Sequence, residues 1–189
     1  LDDYSAVQER ERRETPLFHL ASLADPFVYS THVNQLILAK QLIECGAYVN
    51  VISSKECETA LHQACYRGNV TNLDFIELLL KEGADPNFQD HLGTTPLMYT
   101  APQAPGAAKL LLYWPSTDVN TIDAQSGASF LVRFRGVVKH YTEELALCDD
   151  HPVRVQHKFL RRHWRTVEKK LVDMGAHDTV RPQFENENI

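Results

Sequence analysis

One segment recurs along this chain, and recurrence at such a period decides the architecture before any single residue is considered. The unit is a Thr-led turn, an apolar stretch, a second apolar stretch and a Gly-Ala-x-x-Asn close. Its clearest copy runs from TALHQACYRGN (Thr59–Asn69) to FIELLLKEGADPN (Phe75–Asn87). The next opens with GTTPLMYTA (Gly93–Ala101) and closes with AAKLLLYWPSTDVN (Ala107–Asn120). An earlier copy opens with TPLFHLAS (Thr15–Ser22) and closes with LILAKQLIECGAYVN (Leu36–Asn50). The last is degraded: SGASFLV (Ser126–Val132), then VEKKLVDMGAH (Val167–His177). One such unit cannot bury its apolar faces alone, so the copies are expected to stack into one continuous core.

The motif has a physical reading. Thr15, Thr59 and Thr95 are placed to N-cap a first helix, their hydroxyls accepting backbone N–H groups that have no partner within the helix. Pro16 and Pro96 follow at the first helical position, where no N–H is missed. Gly68 permits a tight turn between helices, and Gly46, Gly83 and Gly175 stand where a left-handed residue ends the second helix. Leu73, Ile76, Leu79 and Leu80 recur at helical spacing as a buried stripe. Ala64, Ala101 and Ala108 are small where neighbouring helices approach.

These residues resemble the ankyrin repeat, a unit of about 33 residues with a β-turn, two antiparallel helices and a T-P-L-H-x-A signature. The resemblance covers roughly Thr15 to Thr179. It implies an all-α solenoid of helix-turn-helix units with short β-hairpin-like loops and decorated terminal repeats. One domain, 1–179, is expected: a cap segment 1–14, then repeats at 15–50, 51–87, 88–120 and 121–179, with a tail at 180–189. The resemblance makes His62 a structural histidine, bonding backbone groups between repeats. It also implies a concave protein-binding face of hairpin tips and exposed first-helix positions. The tips are Ser53–Glu56, Gln89–Leu92 and Asp123–Ser126, and the helix positions lie near His19, Gln63, Tyr66, Arg67, Tyr99 and Gln103. The expected contact set is Gln63, Tyr66, Arg67, Gln89, Asp90, His91, Tyr99, Gln103, Asp123 and Gln125. Tyr66 and Arg67 are the expected anchors, since Tyr and Arg dominate interface energetics.

The copies depart from an ideal array. The first carries about ten extra residues around Ala24–His32, and the second three near Val70–Asn72. The third replaces Gly-Ala with Tyr113, Trp114 and Pro115; Trp114 either projects as a contact or plugs the gap. The fourth holds about 25 extra residues, read as an additional helix Val137–Leu147 and a polar loop Asp149–Arg154. Residues 2–14 suit a short charged helix shielding the first repeat.

Outside the motif, 155–174 reads as an amphipathic helix. Lys158, Arg161, Arg162, Arg165 and Lys169 fall on one arc, with Phe159, Leu160, Trp164, Val167, Leu171 and Met174 opposite. A basic stripe fits a phosphate-rich partner or plain solvation. The net charge of −6 argues against polyanion binding by the whole surface. His140, Cys148, His151 and His157 beside Asp149 and Asp150 are zinc-capable types, but their spacing matches no compact module and no metal is assigned. Cys45, Cys57, Cys65 and Cys148 are few and irregular, read as mostly buried reduced thiols in an intracellular compartment, cytoplasmic or nuclear. No apolar run approaches a membrane span. With no Gly-rich phosphate loop, nucleophile elbow or paired carboxylates, neither enzyme activity nor a cofactor is assigned.

The chain opens on Leu1 and is read as part of a longer protein. The function expected is an interaction module, as in a scaffold or adaptor, holding a protein segment on its concave face. Two alternatives stand beside it. One is a phosphate-rich ligand or nucleic-acid contact through the basic helix 155–174 in a nuclear regulator. The other is the regulatory domain of an enzyme whose catalytic part lies elsewhere.

Overall fold

A computed structural model describes residues 15–22, 29–66, 73–100, 104–147 and 151–177. Within them the chain forms α1 (Pro16–Ser22), α2 (Tyr29–Glu44), α3 (Ala60–Tyr66), α4 (Leu73–Lys81), α5 (Pro96–Tyr99), α6 (Pro105–Tyr113), α7 (Phe130–Leu147) and α8 (His151–Asp173). The packing is that of a solenoid. Odd-numbered helices form one layer, α1 on α3, α3 on α5 and α5 on α7. Even-numbered helices form the second, and each odd helix also packs on the even helix that follows it.

Local chemistry sets the helix ends. The Phe18 amide donates to Thr15 Oγ1 at 3.3 Å, the expected cap. The other two threonines act differently. Thr95 makes no side-chain cap bond, and Thr59 Oγ1 lies 2.9 Å from His62 Nδ1. Gly46, Gly83 and Gly175 adopt φ of +91°, +89° and +76°. Each second helix thereby closes with paired bonds, as in Gly83 N–H to the Leu80 carbonyl and Ala84 N–H to that of Leu79. The third repeat solves the same problem without glycine. The Trp114 amide and the Thr117 hydroxyl both donate to the Leu111 carbonyl. Trp114 itself is half-buried against the core, which favours the gap-filling reading.

The asparagine that closes each copy reaches into the next repeat. Asn50 donates to the Gly83 carbonyl and accepts from the Asp85 amide, both at 2.9 Å. Asn87 donates to the Ser116 carbonyl at 2.6 Å and accepts from the Asp118 amide at 2.7 Å. Asn120 does the same with Gly175 at 3.3 Å and His177 at 3.0 Å. A carboxamide carries one acceptor and one donor side by side, so it completes both backbone groups of a turn at once.

The fourth repeat corrects the reading of its insertion. No separate helix begins at Val137; α7 runs unbroken through Gly136 to Leu147. The polar loop read over Asp149–Arg154 is shorter, because α8 starts at His151. The extra residues lengthen both helices into one antiparallel pair, roughly 27 and 35 Å long at 1.5 Å per residue. Its root is tied by Phe130, Phe134 and Trp164, all buried, with Phe134 and Trp164 ring centroids 5.1 Å apart. The thiols also differ from expectation: Cys65 is buried, Cys57 partly so, and Cys45 exposed. Cys148, Gly68, the insertion at 70–72, the cap segment and the tail lie outside the described residues, as does 23–28 of the first insertion, whose last residues enter α2.

Replacing Asn87 by Ala removes its bonds to the Ser116 carbonyl and the Asp118 amide, both exposed and left to water. We expect a loss of about 0.5 to 1.5 kcal/mol per bond, read from the urea midpoint at unchanged slope.

Candidate functional site

Three tips line one edge of the solenoid, and each is built around a residue that accepts backbone N–H groups. Asp90 Oδ1 accepts from Leu92 and Thr94 at 2.8 Å. Asp123 Oδ1 accepts from Gln125 and Ser126. Ser53 Oγ accepts from Glu58 at 3.1 Å. Successive tips are joined through backbone bonds, His91 N–H to the Glu56 carbonyl and Ala124 N–H to that of Leu92. The joint is tight at Gly93: its φ is +77°, and a Cβ there would meet the Ala124 amide nitrogen at 2.7 Å. The second and fourth tips are one residue longer than the third, and all three close through a left-handed residue at the same place, Cys57 at +55°, Gly93 at +77° and Gly127 at +65°.

Buried polar groups tie the tips to the first helices. His62 has no exposed surface. Its Nδ1 accepts from the Thr59 amide at 3.1 Å, so Nε2 carries the hydrogen and donates to the Thr94 carbonyl of the next repeat. The imidazole is therefore neutral. Burial lowers its pKa, and the Thr94 carbonyl, Asp90 and Glu58 only partly offset that. Tyr99 is half-buried, with its hydroxyl against Glu58 Oε1 and, at 2.8 Å, Asp90 Oδ2. A phenol has one hydrogen, so it donates to one of these carboxylates at a time. Burial, then the two carboxylates, push its pKa well above the ordinary range. Gln63 donates to Glu58 Oε2. Arg133 Nη2 stands 3.1 Å from Asp123 Oδ2. That contact is an ion pair without hydrogen-bond alignment, since Oδ2 accepts no hydrogen bond among the described residues.

The expected contact residues therefore separate. Asp90 and Asp123 are buried, Asp123 with no exposed surface, and both order their own tips; they are not free contacts. The hydrogen-bonding groups of Gln63 and Tyr99 face inward. Gln89 bonds across its tip to the Gly93 carbonyl, and His91 pairs with Glu56 while staying exposed. Gln125 is exposed at the last tip. Tyr66 is 62% exposed, its ring set edge-on to Tyr99 at 6.2 Å. Arg67 and Gln103 lie outside the described residues.

What the geometry assembles is a groove of about 360 Å³ lined by Tyr66, Leu92, Thr94, Met98, Tyr99, Arg133 and Val137. Its shape follows from helix lengths. α5 stops at Tyr99 whereas α7 continues far past that level, so Val137 stands as a wall over a floor of Met98 and Tyr99. Sequence reasoning missed Leu92 as an individual contact, and missed Met98, Arg133 and Val137 altogether. The signal for Arg133 was available: allowing for the longer fourth tip, it stands in register with Tyr99 and Gln63.

On the outer face of α8, Arg162, Arg165 and Lys169 are exposed. Among the described residues no ion pair engages these three. Lys170 lies elsewhere, its Nζ 4.6 Å from the Tyr113 ring centroid. The side chains of Lys158, Arg161, His140, His151 and His157 lie outside the described residues. Among the described residues no helix is long and apolar enough to cross a membrane.

Comparison with known proteins fits this architecture. A family profile of ankyrin repeats in three copies matches residues 27–123, half of the chain. The chain belongs to the ankyrin repeat family. Ankyrin repeats are protein–protein interaction modules. Ankyrin repeat domain-containing protein 63 of Mus musculus is 36% identical over 97 residues, covering 51% of this chain and 22% of that protein. The neurogenic locus Notch protein of Drosophila melanogaster is 31% identical over 109 residues, 57% of this chain and 4% of its own. A zinc finger CCCH domain-containing protein 56 of Arabidopsis thaliana is 39% identical over 67 residues, 34% of this chain and 10% of that one. The chain thus spans about a fifth or less of the length of these relatives.

The buried neutral imidazole gives a pH signature. Unfolded, His62 titrates near 6.5; folded, it resists the proton. Above that pH neither state binds it. Below it only the unfolded chain does, so stability falls as pH falls until the folded pKa is passed. Unfolding free energies from urea titrations between pH 7.5 and 5.5 are expected to drop on the acid side by up to about 1.4 kcal/mol per pH unit. His62→Phe, which places there the residue that Phe18 supplies in the first repeat, removes that part of the slope.

Proposed function

We propose that this ankyrin domain holds a protein partner in the groove between α3, α5 and α7, with Tyr66 as its main anchor. The observation that carries this reading is an exposed tyrosine at the mouth of a largely apolar groove whose floor is fixed by buried polar bonds. A rigid floor costs a partner little ordering entropy, and a large amphipathic ring at its edge is the residue type that concentrates binding energy. The partner offers an apolar side chain to Met98, Leu92 and Val137. The exposed tip residues Gln89, His91 and Gln125 form a polar rim. In this reading the chain is the interaction module of a larger intracellular protein, cytoplasmic or nuclear, where Cys45 and its companions stay reduced.

A second reading is favoured by one observation, the exposed row Arg162, Arg165 and Lys169, which no ion pair engages among the described residues. Three exposed cations on one helix face suit a phosphate-rich ligand, as in a nuclear regulator, and such binding would weaken steeply with salt.

Affinity capture from a eukaryotic lysate with quantitative mass spectrometry separates the two. Tyr66→Ala is expected to weaken retention of the partner by about 2 kcal/mol or more, roughly thirtyfold, with little change in thermal stability. Arg162→Glu/Arg165→Glu is expected to leave it intact. Loss with the second variant and survival with the first overturns the groove reading in favour of the basic stripe.

A further inference from the structure

Arg133 is the one charged residue in the lining of the groove between α3, α5 and α7. Its place there is set from below. Asp123 has no exposed surface, and its Oδ1 accepts from the amides of Gln125 and Ser126. Its Oδ2 is buried and accepts no hydrogen bond among the described residues, so its compensation is Arg133 Nη2 at 3.1 Å. A guanidinium that swung out into solvent would strand a buried carboxylate, a strongly unfavourable state. The cation is thus held at the groove and does not wander as an exposed arginine does. Its side chain nevertheless stays 35% exposed, and among the described residues no hydrogen bond engages its N–H donors. A guanidinium carries its donors in a rigid plane, so one ion pair through Nη2 leaves most of them open.

We infer that Arg133 is a specificity-determining contact, and that the protein segment held in this groove carries an acidic side chain beside its apolar one. Arg133 takes this role only where the groove is the binding face, as proposed above. Charge selects the acid. The neighbouring carboxylates are buried and engaged: Glu58 meets Tyr99 and Gln63, and Asp90 meets Tyr99 and the amides of Leu92 and Thr94. A basic side chain offered here would meet the guanidinium while those carboxylates stay out of reach. A carboxylate would complete donors that are already oriented, and charge-assisted bonds of this kind are about twice as strong as neutral ones. Spacing selects the pattern. Arg133 and Val137 are separated by one turn of α7, so their side chains lie on one face about 6 Å apart. In an extended segment, side chains on one face recur at every second residue, about 6.6 Å apart. The partner therefore presents an apolar residue to Val137 and Met98, and an aspartate or glutamate two positions away to Arg133.

The test pans random dodecapeptides displayed on phage against the full chain and its Tyr66→Ala, Arg133→Gln and Arg162→Glu/Arg165→Glu variants. An enriched peptide is then synthesised in two forms, with its acidic residue and with the matching amide. Wild type is expected to enrich peptides with Asp or Glu two positions from an apolar residue. The amide form is expected to bind wild type about tenfold more weakly than the acid form, and both forms to bind Arg133→Gln alike. The change on the peptide side needs no altered protein, so that comparison holds however well Arg133→Gln folds. An apolar consensus without an acid, lost with Tyr66→Ala, overturns the inference and leaves the groove reading standing. Acidic peptides that bind Arg133→Gln as tightly as wild type also overturn it, as do acidic peptides lost only with Arg162→Glu/Arg165→Glu. Enrichment indifferent to Tyr66→Ala, or none at all, overturns the groove reading and this inference with it.

Discussion

The carboxamides of Asn50, Asn87 and Asn120 are the joints on which the rest of the structure depends. In a solenoid each repeat touches only its neighbours, so stability is set by what crosses each boundary. Stacked apolar faces supply most of the attraction, but they slide easily because dispersion has little direction. Each asparagine fixes the register by filling one acceptor and one donor of the following turn. His62 adds a second directional bond across one boundary, through its Nε2 hydrogen and the Thr94 carbonyl. Glu58 and Asp90, from neighbouring repeats, meet on the hydroxyl of Tyr99 and reinforce that boundary.

These joints determine what is left for recognition. Gln63, Tyr99 and Arg133 occupy one register position in three successive repeats, and each reaches back to a carboxylate. That row forms a fixed floor, and Gln63 and Tyr99 offer their polar atoms to the protein itself. The residues one turn further along the helices, Tyr66 and Val137, have no such duty and face the groove. The long α7–α8 pair contributes through geometry: it raises one wall while Phe130, Phe134 and Trp164 anchor its root.

Much of the fold was legible because the motif residues act locally. Thr15, the prolines and the three left-handed glycines each do what their own backbone chemistry dictates. The apolar stripe of α4 is buried as its spacing implies. What was not legible depended on how short stretches fold back on themselves in three dimensions. Asp90 and Asp123 look like exposed loop charges until the turn folds its N–H groups onto them. Thr59 and Thr95 look like helix caps, and only the spatial position of His62 redirects the first of them. The helix read from Val137 is the continuation of α7, which runs through Gly136 although glycine costs about 1 kcal/mol within a helix; the packing of Phe134 on Trp164 holds its root. Arg133 stands in the row of Gln63 and Tyr99, four residues after Ser129, where the degraded fourth copy has Ser in place of the motif Thr.

The most direct test of the account is the hydrogen-exchange footprint of a bound partner on this chain. The account predicts slowed exchange confined to α3, the third tip and α5, and the first turns of α7, residues 60–66, 90–99 and 130–139, with α8 unchanged. Protection confined to 162–173, with the groove exchanging as in the free chain, would contradict it.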